Sequence, residues 1–379
     1  MKFGLLFELQ VPKPWNARSD FEIFHQAADQ AVLAEQMGFE YIWAVEHHFL
    51  EQFAHCAAPE VWLGHLSART SAVRLGFGVI LTERQINHPV RIAERVAVLD
   101  VMSNGRVDWG TGRASNPYQL EPFGVNLGET RQEWEEVIEI VPKMWTQNTF
   151  SHKGRFWDIH ERNVVPKPIQ KPHPPVWVAA QQPATFDLAG RKGIGALCFA
   201  VGVPGELEER IKSYKKAIET APEQVGLVKN NHCATFTIAY CDESDQAARE
   251  LAGPQAMWYL DTIEGIYGPV WKAKNLSEVP DSYKWHATNN TPGEQTMTKV
   301  GKDYNTFINN GSFAIGNPDN MIKTLEGYEA AGADQVILFM QAGRMSHDKL
   351  MRSLKLIGKY VLPHFQEKAK KKQAAKAAR

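Results

Sequence analysis

The chain has 379 residues, in which 42 Lys and Arg stand against 43 Asp and Glu, so it carries no whole-chain electrostatic footprint for nucleic acid or an anionic membrane surface. Four cysteines, Cys56, Cys198, Cys233 and Cys241, show no C-x-x-C spacing, which argues against a zinc knuckle or a secreted disulfide framework and leaves reduced thiols as the plain reading. The opening MKFGLLFELQVPKPW lacks a signal-type segment and no apolar run reaches membrane-spanning length, so a cytoplasmic protein with no membrane partner is expected.

Phe3 to Leu9 is an apolar run suited to a first buried strand. Ser19-Asp20-Phe21-Glu22 then supplies a capping-box start, and Phe21, Phe24, Ala28, Ala31 and Ala34 recur near helical spacing until Gly38 closes the segment. Tyr41 to Val45 reads as strand two, Pro59 to Thr70 as a helix and Arg74 to Leu81 as strand three. Pro89 opens a helix that Asn104-Gly105 stops, followed by strand four at Arg106 to Gly110 and an amphipathic helix from Thr130 to Trp145. A loop rich in Gly and Pro from Phe150 to Pro175 is longer than compact connections usually are. Strand five is Pro175 to Gln181, and a helix from Ala184 to Arg191 leads to strand six at Ala196 to Val201. A charged helix, Gly205 to Glu219, precedes strand seven at Cys233 to Cys241, and a helix runs from Asp245 to about Ile266. After an irregular stretch from Gly268 to Gly311 come a helix from Asn317 to Ala331, strand eight at Asp334 to Met340 and a last helix from His347 to His364.

Strands alternating with helices in this rhythm predict an α/β protein, a (β/α)₈ TIM barrel over residues 1–365 with insertions at about 150–175 and 268–311. Residues 366–379 read as a basic tail. The competing doubly wound sheet needs a Gly-rich turn after the first strand, and Phe7-Glu8-Leu9-Gln10-Val11 has none.

Barrel enzymes gather their chemistry at the C-terminal ends of the strands. Glu46-His47-His48 ends strand two, Thr82-Glu83-Arg84-Gln85 strand three, Gly112-Arg113-Ala114-Ser115-Asn116 strand four, Ala180-Gln181-Gln182 strand five and Gln341 strand eight. The plainer reading of the His pair is a packed turn. Adjacent residues on an extended chain point to opposite sides, and no third ligand stands at recognisable spacing, so no metal site is expected. Glycines with an arginine in GTGRAS suit an anion held by backbone and guanidinium, although a turn with a surface ion pair has the same signature. Arg91, Glu94 and Arg95 read as an ion-pair cluster, and Trp258 and Tyr259 as packing.

Taken in order, MKFGLLFE, GFEYIWAVEHHF, RLGFGVIL, NHPVRIAERVAVLDVMSNGR, WGTGR, PPVWVAA and GADQVILF resemble the bacterial luciferase-like flavin monooxygenases, from Met1 to about Phe365. The resemblance implies a (β/α)₈ barrel that binds reduced FMN delivered by a separate NAD(P)H:flavin reductase, activates O₂ as a flavin C4a-hydroperoxide and oxygenates a small organic substrate. It also implies a dimer, here expected to be a homodimer. Carried over by position, His47 lies by the flavin and supports catalysis. His48, like the helix carrying Glu94, lies at the subunit interface. Arg113 grips the flavin phosphate and Arg131 is a second phosphate ligand. Gln182 and Thr185 stand where the family has Ser and Thr completing that site, the Gln being a departure. Gly78-Val79 matches a cis non-prolyl peptide under the flavin ring, and Trp258 a tryptophan near the flavin.

Two departures set the chain apart from light emission: Gly112 stands where luciferase has a reactive cysteine, and Asn116 where it has a tyrosine. A substrate other than the luciferase aldehyde is therefore expected. Phe156, Trp157, Tyr267, Trp271 and Trp285 in the insertions suggest apolar or aromatic walls. A deazaflavin-dependent reductase on the same barrel and a flavin-binding barrel without catalysis are the competing readings.

Overall fold

The computed structural model describes residues 1–199, 201–288 and 303–377; the part of the second expected insertion at 289–302 and the end of the basic tail lie outside the described residues. The strands are β1 (Lys2–Phe7), β2 (Tyr41–Ala44), β3 (Arg74–Phe77), β4 (Ile80–Leu81), β5 (Val107–Gly112) and, as a hairpin, β6 (Phe150–Lys153) with β7 (Asp158–Arg162). They continue as β8 (Val176–Ala179), β9 (Gly195–Cys198), β10 (Cys233–Cys241), β11 (Phe313–Gly316) and β12 (Gln335–Phe339).

Eight of these close a parallel ring in the order β1, β2, β3, β5, β8, β9, β10, β12. Closure falls on β12, whose Gln335 to Phe339 align with Lys2 to Leu6 of β1 on one side and with Ala234 to Ile238 of β10 on the other. The expected (β/α)₈ barrel is thus the architecture observed. Each ring strand is a short apolar run because both its faces are covered, one by the barrel interior and one by helices. Inside, the Trp43 and Trp177 rings meet edge to face at 5.4 Å. Gly76 and Gly195 make room for them, since a Cβ at either would collide with the neighbouring indole. Trp177 donates from its indole N–H to Asp108 Oδ1 at 2.9 Å, and Arg74 pairs with the same carboxylate, so that buried charge is compensated.

Several expected boundaries are corrected. Strand three does not run unbroken from Arg74 to Leu81: β3 ends at Phe77, the Gly78–Val79 peptide is cis, and β4 resumes at Ile80 to pair with β5. The long loop after residue 150 contains the β6–β7 hairpin, whose half-exposed alternation is too short and too polar to read as a strand pair. β11, which the sequence reading missed, pairs with Ile238 to Cys241 of β10 and is only Phe-Ala-Ile-Gly long. The helix expected to end near Ile266 continues through Gly268-Pro269 to Lys272, a pair that normally marks a break. Beyond His364 the last helix extends to Ala377 after a π turn at Ile357–Val361.

Candidate active site

The C-terminal ends of the ring strands surround a cavity of about 1600 Å³, counted out to its open mouth, lined from β1, β2, the β3–β4 break, β5, β8 and the helix Asp245–Lys272. Of the residues singled out from sequence, His47, Gly78, Val79, Arg113, Arg131, Gln182 and Thr185 all line it. Trp258 does not: it packs half-buried against the core, and its helix turns Tyr259, Leu260, Ile263, Tyr267 and Trp271 to the cavity instead. Among the expected wall aromatics, Tyr267 and Trp271 line the cavity and Phe156, Trp157 and Trp285 do not. The two that do belong to the unexpected extension of that helix. Trp271 ties it to the loop after β5, donating to the Ser115 carbonyl at 3.2 Å.

One end of the cavity is built for an anion. Arg113 leaves β5 and donates to Thr130 Oγ1 at 3.0 Å and Ser282 Oγ at 3.3 Å, with its guanidinium 4.9 Å from the centre of the Tyr283 ring. Among the described residues it forms no ion pair, so its charge is free for a ligand. Beneath it, buried Glu83 accepts from the Ala114 backbone N–H at 2.9 Å and burial pushes its carboxyl up to about 7. Gln182 occupies the N-cap position of the helix Pro183–Arg191 and Thr185 sits in its first turn, and both line the cavity that Arg113 lines, so a helix N-terminus, where backbone donors and the dipole favour negative charge, opens onto the same cavity. Arg131 lines the same end but is engaged with Glu135 at 2.8 Å. Gly78, Val79 and Gly112 also line the cavity, and the lack of a side chain at Gly112 makes room for Val79, whose Cγ2 would lie 2.5 Å from an added Cβ. A phosphate-bearing cofactor fits this donor set.

The polar end answers why an apolar strand stops on a carboxylate and two imidazoles. Glu46 is buried, accepts from the Leu81 N–H at 2.8 Å and from Asn87 Nδ2 at 3.0 Å, and fastens the end of β2 to β4. Asn87 in turn donates to the Leu81 carbonyl at 2.9 Å and accepts from Arg95. Arg95 therefore belongs to this brace as well as to its pair with Glu60. His48 stacks edge-on to Phe123 at 5.1 Å and lies 3.4 Å from Glu46 Oε1. Glu46→Ala strips acceptors from two buried donors, a loss of about 1–3 kcal/mol for each; chemical denaturation should show destabilisation of at least ~2 kcal/mol, with Glu46→Gln intermediate. A variant as stable as the parent would show that the brace is dispensable.

His47 faces the cavity in a defined tautomer. Gln119 Oε1 accepts from the backbone N–H of His48 at 3.2 Å, which can only donate, so this atom is the amide oxygen. His47 Nδ1, 3.0 Å from the same oxygen, must then carry the hydrogen, leaving Nε2 with its lone pair. Burial drives the imidazole down to about 4, so it is neutral at pH 7. Gln119 is held by a short helix, Pro117–Leu120, whose N-cap is Asn116, accepting from the Tyr118 N–H at 2.8 Å. The departure at Asn116 is thus a capping residue that positions the partner of His47. Sequence reading found His47 and Tyr267 but not Gln119 or Glu8, and it read Tyr259 as packing, because the roles of these three depend on contacts across the ring.

A closed parallel barrel whose mouth is lined by an arginine, a helix N-terminus and a neutral histidine is the architecture in which barrel enzymes place their chemistry. The chain belongs to the luciferase-like monooxygenase family, whose profile matches residues 1–335. It is 25% identical over 369 residues to the oxygenase component of the flavin-dependent trigonelline monooxygenase of Acinetobacter baylyi, covering 97% of this chain and 96% of that protein. It is also 32% identical over 263 residues, 67% of this chain and 75% of the other, to an F420-dependent glucose-6-phosphate dehydrogenase of Kineococcus radiotolerans. Among solved structures, the oxygenating constituent of 3,6-diketocamphane monooxygenase from Pseudomonas putida, in complex with FMN, superposes with a TM-score of 0.74 at 18% identity, covering 96% of this chain and 98% of that one. Among the described residues no group of three or more His, Cys, Asp or Glu is placed to hold a metal, and no helix is long and apolar enough to cross a membrane.

Proposed function

We propose that the protein is the oxygenase of a two-component system, taking reduced FMN from a separate NAD(P)H:flavin reductase and using O₂ to oxygenate a small organic substrate. The observation that carries this reading is that the Arg113 guanidinium, without an ion pair among the described residues, the helix N-terminus at Gln182 and Thr185, and His47 all line one cavity. Arg113 and Thr185 would hold the phosphate, with Gln182 and Arg131 at its rim, and the segment Gly78–Val79 with Gly112 would lie against the ring. Bound there, reduced FMN supplies the electrons and the site of oxygen activation. The protein's part is to orient the ring, exclude water behind Trp271 and Tyr267, and offer His47 Nε2 as a hydrogen-bond acceptor. The copy-to-copy contact of a homodimer is supported by the helices Pro59–Ser67 and Pro89–Met102, which expose Val61, Val98, Val101 and Met102.

The second reading, hydride transfer with a deazaflavin, is favoured by the F420-dependent relative. Anaerobic titration with reduced FMN and with reduced deazaflavin, followed by rapid mixing with oxygenated buffer, separates the two. Tight reduced-FMN binding with an oxygen-dependent absorbance transient supports the oxygenase. Deazaflavin binding that is indifferent to oxygen supports the other.

His47→Gln should leave reduced-FMN affinity within a few fold and change the rate of the reaction with oxygen severalfold or more; superimposable stopped-flow traces would remove His47 from the chemistry. The same variant has a stability signature. Because the folded imidazole titrates at about 4, below its usual 6.5, the folded state binds fewer protons than the unfolded one between those values. Stability from this group is present above pH 6.5 and lost as pH falls toward 4, and His47→Gln should flatten that acid-side decline.

A further inference from the structure

Glu8 follows β1 and lines the same cavity, yet neither the phosphate end nor the His47 network uses it. It is 4% exposed. Its Oε1 accepts from the Tyr259 hydroxyl at 3.1 Å and its Oε2 from Gln10 Nε2 at 3.0 Å, while Gln10 is itself anchored by accepting from the Gly343 N–H at 3.0 Å. Among the described residues Glu8 forms no ion pair. The wall beside it is apolar and aromatic: the Phe53 and Tyr259 rings meet at a tilt with centres 5.1 Å apart, and Leu6, Leu260 and Ile263 complete the surface. A carboxyl held by two neutral donors in such a wall is a placed polar group of the kind that orients a ligand.

We propose that Glu8 is the substrate anchor of the cavity, its protonated carboxyl donating a hydrogen bond to a carbonyl or hydroxyl oxygen of an otherwise apolar, aromatic-sized organic substrate. The inference rests on the oxygenase reading and names the substrate class for the same site. Protonation follows from the surroundings. Burial raises the Glu8 carboxyl to about 8, with the two donors opposing but not cancelling that effect. The titratable groups around it stay neutral through that range. Tyr259 lies well above its usual value, Tyr267 is pushed up to about 12, Cys56 is pushed up, and His47 lies at about 4. Of these five groups, Glu8 alone changes charge between pH 5 and 9. At neutral pH it therefore offers a hydrogen rather than a charge, which favours an oxygen acceptor over a cation.

The test uses the full chain with FMN, and acetophenone, cumene and benzyltrimethylammonium as probes of one aromatic size. Binding is read by tryptophan quenching or calorimetry, so it needs no turnover. The wild type should bind acetophenone about fivefold to tenfold more tightly than cumene at pH 6.5, the range of one hydrogen bond, and should lose that preference as pH rises through 8. Glu8→Gln, which keeps an N–H donor, should retain the preference and show no pH dependence; Glu8→Leu should abolish it. The infrared difference between the wild type and Glu8→Gln at pH 6.5 should contain the band of a protonated carboxyl. An acetophenone affinity unchanged in Glu8→Leu, no acetophenone binding by the wild type, or a benzyltrimethylammonium affinity that grows above pH 8 while acetophenone stays flat would each overturn the proposal. Reduced-FMN binding by the same variants is measured in parallel. Its loss in the wild type would count against the oxygenase reading, whereas its retention with no Glu8-dependent preference would count against the anchor alone.

Discussion

Replacing Arg113 with alanine should weaken reduced-FMN binding by about 1.5–3 kcal/mol, the range for losing a hydrogen bond to a charged group, which is more than tenfold in dissociation constant. Among the described residues the guanidinium touches neutral groups, the hydroxyls of Thr130 and Ser282 and the face of Tyr283. Its charge also favours the ionised form of buried Glu83, so a loss in ligand affinity should be accompanied by a smaller loss of stability. Arg113→Lys should fall between the two, because an ammonium cannot grip phosphate with a paired fork. Anaerobic titration of each variant, with thermal melts alongside, separates the effects. Affinity unchanged in Arg113→Ala would move the phosphate to Arg131, whose pairing with Glu135 would then have to open.

Gly110→Ala is expected to destabilise the barrel by ~3 kcal/mol or more, at the upper end for overpacking a core. Gly110 lies in β5, where the ring passes between β3 and β8. An added Cβ would overlap the Phe77 carbonyl oxygen and come within 3.1 Å of Leu197 Cδ1. The obstacle is backbone, which cannot swing aside as a side chain can, and it is the last residue of β3 before the Gly78–Val79 wall of the cavity. Relief by moving β3 would displace that wall, so flavin affinity should fall with stability. Gly64→Ala is the control of opposite sign. Nothing lies within 4 Å of its Cβ in the helix Pro59–Ser67, and alanine is better than glycine there by about 1 kcal/mol. Chemical denaturation checks both; a Gly110→Ala midpoint equal to the parent's would refute the close approach.

Local signals carried the reading furthest where the needed information lies within one turn or one strand. The compact apolar runs at Phe3, Tyr41, Val107, Val176 and Gln335 are strands because the barrel covers both their faces. Arg113 was legible because glycines and a guanidinium follow such a run. β11 and the β6–β7 hairpin were not: Phe-Ala-Ile-Gly is only four residues long, and the hairpin strands are short and largely polar, so neither has enough positions to show a period. Trp258 shows the limit at single-residue scale. Helical periodicity marks a helix there, but which face meets the cavity is set by how Asp245–Lys272 lies across the ring, and that turned Tyr259 inward instead.

The sequence by itself determined the alternation of strand and helix, and with it the barrel, because each element's periodicity and caps are properties of adjacent residues. It also determined which residues end the strands. Only the tertiary structure decided what those residues do. Glu46 became a brace because β4 and Asn87 come to it, and His47 a neutral acceptor because Gln119, 72 residues further on, fixes its hydrogen. Glu8 became a cavity carboxyl because Tyr259, 251 residues away, is brought against it. Burial and partnership set the charge of each group, and both arise only when the ring closes between β1 and β12.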